Sequence, residues 1–259
     1  SPEIRSFLKL MVPLLIGNLI LKSGVFVNRF FASLLAAGSV TYIFYASRIT
    51  RLLARITSKG TYTVFFPKLS KAHAAGDENE FQNRIDDSMS LVIFFGFIVV
   101  AMMALYGTNL IYILFENEQF TRLDAIKTAF ATQAMIGALF AAPIGDIVNN
   151  VYFSVKDTKT PIIISVSVFI ISIVIKYLLL RVWGFIGVAV GSSIESLTEV
   201  CIGLLILRKR QKKVKYKVFL KSFAKNLIAF VAAGAVVFIT GRLLFGDLNV
   251  FMRSKLAET

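Results

Sequence analysis

The 259-residue chain holds a single cysteine, Cys201, and a single histidine, His73. One thiol excludes an internal disulfide, and one imidazole excludes the usual histidine-rich metal and phosphatase sites. There is no glycine-rich phosphate loop, and no nucleophile stands beside a base. The sequence therefore offers no catalytic centre and calls for neither a metal nor a cofactor. No cleavable signal is visible, because Ser1-Pro2-Glu3-Ile4-Arg5 leads straight into a long apolar segment, and the missing initiator Met points to a processed or excised fragment.

What the chain has is apolar surface. Hydrophobic residues fill 56% of positions and mean hydropathy is +0.73, against roughly 45–50% apolar content in soluble domains. Runs at 91–106, 161–175 and 227–240 approach the roughly 20 residues that a helix needs to cross about 30 Å of hydrocarbon. Apolar runs read against Pro, Gly and charge breaks predict helices near 7–36, 38–66, 87–115, 122–155, 160–181, 184–208 and 218–245. The expected fold is an all-α, polytopic integral membrane bundle of about seven transmembrane helices, a single lobe over 1–259 with no soluble domain. Pro143, with Gly137 and Gly145 nearby, permits a kink in the fourth helix.

The net charge of +14 raises the question of nucleic acid, and its location answers it. The densest cluster, Arg208-Lys209-Arg210 with Lys212, Lys213, Lys215 and Lys217, lies between two apolar runs, as a loop anchor does. Loops on the side of the N-terminus carry Lys68, Lys71 and Arg84, then Lys156 and Lys159, then this cluster. The opposite loops hold Arg122, Arg181 and little else. The positive-inside rule then puts the N-terminus in the cytoplasm and, with an odd number of spans, the C-terminus outside. The stretch 69–86 reads as the one sizeable cytoplasmic loop, with a turn over 76–80 and a helix start at Asp86-Asp87.

Polar residues at membrane depth carry the functional reading. Arg48, Arg51, Arg55 and Lys59 recur at three- and four-residue spacing on the second helix, within an arc of roughly 80°. Four cations facing lipid would cost on the order of 10–14 kcal/mol, while roughly ten apolar residues return about 3–6. This face must meet water, counter-charges or an anion. Lys22 and Arg29, seven apart on the first helix, can join the same cationic cavity. A surface or snorkelling role for some of these cations is the plain alternative, and a voltage-sensor ladder a further one, although a strict three-residue spacing is not kept.

Acidic groups at depth are few. Asp146 lies on the fourth helix, and Glu195 and Glu199 share one face of the sixth. They read as counter-ions to the arginines rather than as an acid/base pair. Lys176 lies roughly 9 Å from the outer end of its helix and Glu195 roughly 16 Å from the outer end of the next, a difference a lysine side chain can largely span. Arg51 reaches a similar depth, so Glu195 is expected to be shared between the two cations or to exchange between them during transport.

Longer strings carry a family resemblance. The run Asn28-Arg29-Phe30-Phe31-Ala32-Ser33-Leu34-Leu35-Ala36-Ala37-Gly38-Ser39-Val40, then Tyr45-Ala46-Ser47-Arg48 and Phe66-Pro67-Lys68-Leu69-Ser70, resembles the MurJ (MviN) lipid II flippases. Leu114-Phe115, Phe120-Thr121, Asp124 and the string VYFSVKDTKTP at 151–161 match in order and spacing. These flippases belong to the multidrug/oligosaccharidyl-lipid/polysaccharide exporter superfamily. The resemblance runs from about residue 4 to 245 and corresponds to the C-terminal lobe of a two-lobed transporter.

That resemblance implies a non-enzymatic role in the bacterial cytoplasmic membrane, moving a lipid-linked diphosphate glycan, the peptidoglycan precursor lipid II, between leaflets. The N-terminal lobe would be its partner. It makes Arg48, Arg51, Arg55, Arg29, Lys22 and Lys59 candidates for gripping the diphosphate, since arginine binds phosphate oxygens in bidentate fashion. Departures from the family pattern are specific. Ser47 replaces the Asp of a frequent Asp-Arg pair, Asn28 stands where relatives often have Asp, and Lys176 falls roughly where they have Asn or Asp. The sequence thus departs from the sodium site suggested for some relatives, and Lys176, Glu195, Glu199, Asp146 and Asn28 become candidates for charge coupling. Arg51, Arg55 and Lys59 replace a mostly apolar stretch, which keeps open another polyprenyl-diphosphate glycan as cargo. A noncatalytic membrane scaffold that recruits partners through its basic loop is the rival of a different class.

Overall fold

The structure, a computed structural model, describes residues 23–36, 38–115, 120–210, 223–228 and 230–232. Lys22, the start of the expected 7–36 helix, residues 211–217 of the basic cluster and both ends of the 218–245 helix lie outside the described residues. The helices are α1 (Gly24–Ser33), α2 (Ser39–Ala74), α3 (Glu78–Phe115), α4 (Arg122–Ala134), α5 (Ile136–Ser154) and α6 (Lys159–Arg210), followed by a helical stretch at Phe223–Ala232.

Three of these, α3, α5 and Lys159–Lys209 within α6, are long and apolar enough to cross a membrane. Gly184 breaks α6 with φ 56° and ψ −135°, a conformation open to glycine, so this helix supplies two antiparallel spans, 159–183 and 185–210. Close to the bend, a side chain at Gly187 would collide with the Leu179 carbonyl. With α1, α2, the α4–α5 pair and the final stretch, the chain is a polytopic all-helical membrane bundle of about seven transmembrane helices.

The 69–86 loop expected from sequence is helical. α2 has 36 residues and α3 has 38, which at 1.5 Å per residue is roughly 54 and 57 Å, well past about 30 Å of hydrocarbon. Both project from one side of the bundle and meet at a turn over 75–77. The physical cause is local. Gly76 takes φ +70°, Asp77 caps α3 by accepting the Glu80 N–H at 2.9 Å, and Arg84 pairs with Glu80 at 2.6 Å and Asp87 at 3.3 Å. Charges that read as a solvated loop thus lie along a helix surface, while Leu69, Ala72, Phe81 and Ile85 are buried in the core.

The fourth expected helix also differs. Its interruption falls at Met135, between α4 and α5, and Pro143 lies inside α5. Ser193 of α6 explains the break, since its hydroxyl donates to the Ala134 carbonyl at 2.7 Å and accepts the Ala138 N–H at 3.2 Å. Backbone groups freed at membrane depth are satisfied by a neighbouring helix. Gly137 makes room, because a Cβ there would meet the Ser193 Cβ at 2.8 Å.

The inward face of α2 is built from small residues: Ala46, Ser47, Thr50, Ala54, Thr57, Ser58 and Thr61 are all buried. In lipid, where no hydrophobic drive separates helix from solvent, such residues let backbones approach and gain dispersion contact. The opposite face of the same helix carries the cations.

Candidate functional site

Because the small residues of α2 turn inward, its three- and four-residue cation spacing turns outward. Arg48, Arg51, Arg55 and Lys59 are exposed and line one open groove of about 620 Å³ with Leu52, Ile56, Gly60 and Thr63. Among the described residues, none of the four has a carboxylate within 4.0 Å. Such a face can bind an anion without first breaking an ion pair.

Arg29 of α1 stacks on Phe44 of α2, its guanidinium 4.8 Å from the ring centroid, and stands within electrostatic reach of Arg51. The cation–π contact fixes the planar group without neutralising it. Arg29 and the stripe are therefore brought to one region, as expected, while Lys22 lies outside the described residues.

Behind the groove lies a second cavity of about 260 Å³, where α1, α2, the α4–α5 break and α6 meet. Its walls include Asn28, Thr50, Arg51, Met135, Lys176 and Glu195. Lys176 and Glu195 form an ion pair at 2.5 Å across the two spans of α6, with side chains 2% and 21% exposed. The Lys176–Glu195 pairing expected from depth is present, whereas the expected sharing with Arg51 is not, since no ion pair joins Arg51 to Glu195 in this structure. Asn28 Nδ2 donates to Ser192 Oγ at 3.4 Å, and its buried Oδ1 has no hydrogen-bond partner among the described residues. Arg51 lines both the outer groove and this cavity.

The remaining acids sit beside this core. Glu199 accepts a hydrogen bond from Ser165 and feels the charges of Glu195 and Asp146. Asp146 has Ser58 as hydrogen-bonding neighbour and lies in electrostatic range of Arg55. Ser58, Ser165 and Ser192 went unnoticed in the sequence. Their signal was available for Ser58, one turn beyond Arg55, but Ser165 and Ser192 become partners only through helix packing.

The lipid II flippase MurJ family model matches residues 1–254. The chain belongs to this family. A probable lipid II flippase MurJ of Bdellovibrio bacteriovorus is 26% identical over 240 residues, covering 93% of this chain and 45% of that protein. The corresponding protein of Rickettsia prowazekii is 28% identical over 235 residues, covering 88% and 45%. A solved structure described as lipid II flippase MurJ in an inward closed conformation superposes with a TM-score of 0.74 at 24% identity, over 98% of this chain and 56% of that one. The likeness to the solved structure establishes a shared fold. The chain spans about half the length of the relatives it matches.

Proposed function

We propose that this chain is one lobe, the C-terminal one, of a flippase that carries a polyprenyl-diphosphate-linked glycan across the bacterial cytoplasmic membrane, with lipid II as the cargo. The observation that carries the reading is the cationic groove on α2, formed by Arg48, Arg51, Arg55 and Lys59 and without an ion-pair partner among the described residues. A diphosphate crossing the membrane needs compensating charge in a wet, open site, while its polyprenyl tail stays in lipid. Arg29, and Lys22 by sequence, extend that site. No bond is made or broken in such a cycle, and the work is alternating access between two lobes.

Family membership supports the cargo assignment, and half-length coverage supports the two-lobed assembly with an N-terminal partner. The distribution of loop cations supports a cytoplasmic N-terminus. A second reading, a different polyprenyl-diphosphate glycan, is favoured by one observation: the groove carries Arg51, Arg55 and Lys59 where the family pattern is mostly apolar.

The test is headgroup accessibility of labelled lipid II in proteoliposomes. This chain together with its N-terminal lobe should translocate the headgroup, and this chain alone should not. Flipping by the lone chain, or failure of the pair while another polyprenyl-diphosphate glycan is moved, would overturn the assignment of lobe or of cargo respectively.

A further inference from the structure

Arg51 is the one stripe residue that also lines the inner cavity, where Glu195 is the carboxylate among the lining residues. An arginine and a glutamate that line one cavity attract each other unless something else holds the carboxylate. In this structure something does. Glu195 is bound by Lys176 at 2.5 Å, and no ion pair joins it to Arg51.

The position of Lys176 is built by the fold. Its stem lies flat on the α6 backbone at Gly191, where an added Cβ would meet Lys176 Cγ at 2.5 Å and Lys176 Cα at 3.3 Å. Gly191 and Glu195 are four residues apart and occupy one helix face, so a lysine that crosses at Gly191 delivers its ammonium one turn along, onto Glu195. The side chain is 2% exposed, so it has little freedom to leave.

We propose that Lys176 is a positioning residue that sequesters Glu195 and thereby keeps the Arg51 guanidinium free for an anionic diphosphate headgroup. The inference rests on the substrate reading given above. Lys176 itself touches no substrate. It sets the affinity of the groove by denying Arg51 an internal partner. Without the ammonium, Glu195 turns to Arg51 across the shared cavity, and headgroup binding must then break that pair.

Two measurements on the chain in lipid nanodiscs separate this idea from the substrate reading. The first uses no ligand. Thermal stability is measured for a cycle of Arg51→Gln and Glu195→Gln, in the native background and with Lys176→Met; Lys176→Gln replaces Lys176→Met if the methionine variant does not fold. Residues 51 and 195 should be additive in the native background and coupled once Lys176 is replaced. Additivity in both backgrounds, or coupling already present in the native one, overturns the proposal.

The second measurement is binding of undecaprenyl diphosphate. Replacing Lys176 should weaken binding about tenfold, within the usual range of site-to-site coupling, and adding Glu195→Gln should restore it to within about twofold of native. Equal binding with and without Lys176, or no recovery in the double variant, also overturns the proposal. If the native chain does not bind the diphosphate while the stability cycle behaves as expected, Lys176 still governs the Glu195 partner, and it is the substrate reading that fails.

Discussion

The Tyr42 hydroxyl donates a 2.7 Å hydrogen bond to Asp124, tying the first turn of α2 to the first turn of α4. Asp124 also forms the capping box of α4 with Thr121, accepting its N–H at 2.9 Å and its hydroxyl at 2.7 Å. Phe185, just past the break in α6, lies with its ring centroid 5.5 Å from that of Tyr42. Three helices thus meet at one buried tyrosine, at the end of the bundle opposite the 75–77 turn. Gly38, with φ +90°, lets the chain turn there, since a Cβ would come within 2.7 Å of the tyrosine oxygen.

Tyr42→Phe keeps the ring contacts and removes only the bond to the carboxylate. A hydrogen bond to a charged group is worth about 1.5–3 kcal/mol, so a loss of that order is expected in thermal unfolding in detergent. Tyr42→Phe combined with Asp124→Asn should cost less than the two single changes added together. Strict additivity would show that the two groups do not act as a pair.

Arg48 stands exposed at the start of the groove, with no carboxylate among the described residues to hold it. Arg48→Ala is expected to abolish transport, and Arg48→Lys to recover part of it, because lysine keeps the charge and loses the planar fork. Neither change should alter folding, as the side chain buries nothing. Complementation of growth, at equal membrane abundance, is the measurement. Full growth with Arg48→Ala would remove this arginine from the substrate site.

The four-residue rhythm of Arg51, Arg55 and Lys59 made the cationic face readable from sequence, because a charge at membrane depth is too costly to be incidental. Depth counting likewise reached the Lys176 and Glu195 pair. The break at Met135 was not readable, since its cause is a hydroxyl 55 residues or more away in sequence, on Ser193. Pro143 drew attention instead, yet α5 accommodates it. The turn expected over 76–80 is present at 75–77, but the helices that flank it across 69–86 were not readable for a different reason. Glu80 and Arg84 look like loop residues by polarity, and only their spacing, with Asp87, shows that they pair along a helix.

Glycine substitutions should separate packed from open helix faces. Gly137→Ala forces a contact with Ser193 at 2.8 Å, where the backbone break leaves little room to yield, and is expected to destabilise by about 1–3 kcal/mol. Gly60, on the groove side of α2, has nothing within 4 Å of an added Cβ, so Gly60→Ala should be neutral or stabilise by up to about 1 kcal/mol through helix propensity. Ser193→Ala removes the hydroxyl that serves both Ala134 and Ala138 and should cost about 1–3 kcal/mol. Melting temperatures in one detergent rank the three. Equal losses for Gly137→Ala and Gly60→Ala would refute the close approach of α5 and α6.

The charges at the two ends of the bundle predict its orientation in the membrane. The 75–77 turn, with Lys68, Lys71 and Arg84 near it, lies on the end shared with Lys156, Lys159 and the close of α6, whereas Leu34, Gly38, Thr121 and Gly184 lie on the other. Cations collect on the cytoplasmic side because short loops rich in Lys and Arg resist translocation. With Cys201 replaced by serine, a single cysteine at Asn79 should therefore escape a membrane-impermeant maleimide in intact spheroplasts and react after lysis. A single cysteine at Arg181, close to the Gly184 bend, should react in both. Asn79 is exposed in the first turn of the 38-residue α3, which is longer than the hydrocarbon is thick, and labelling after lysis provides the control for its accessibility. Reaction at Asn79 in intact spheroplasts, with Arg181 protected, would invert the orientation. The groove on α2 would then run the other way across the membrane, with Arg48 nearer the cytoplasm than Lys59.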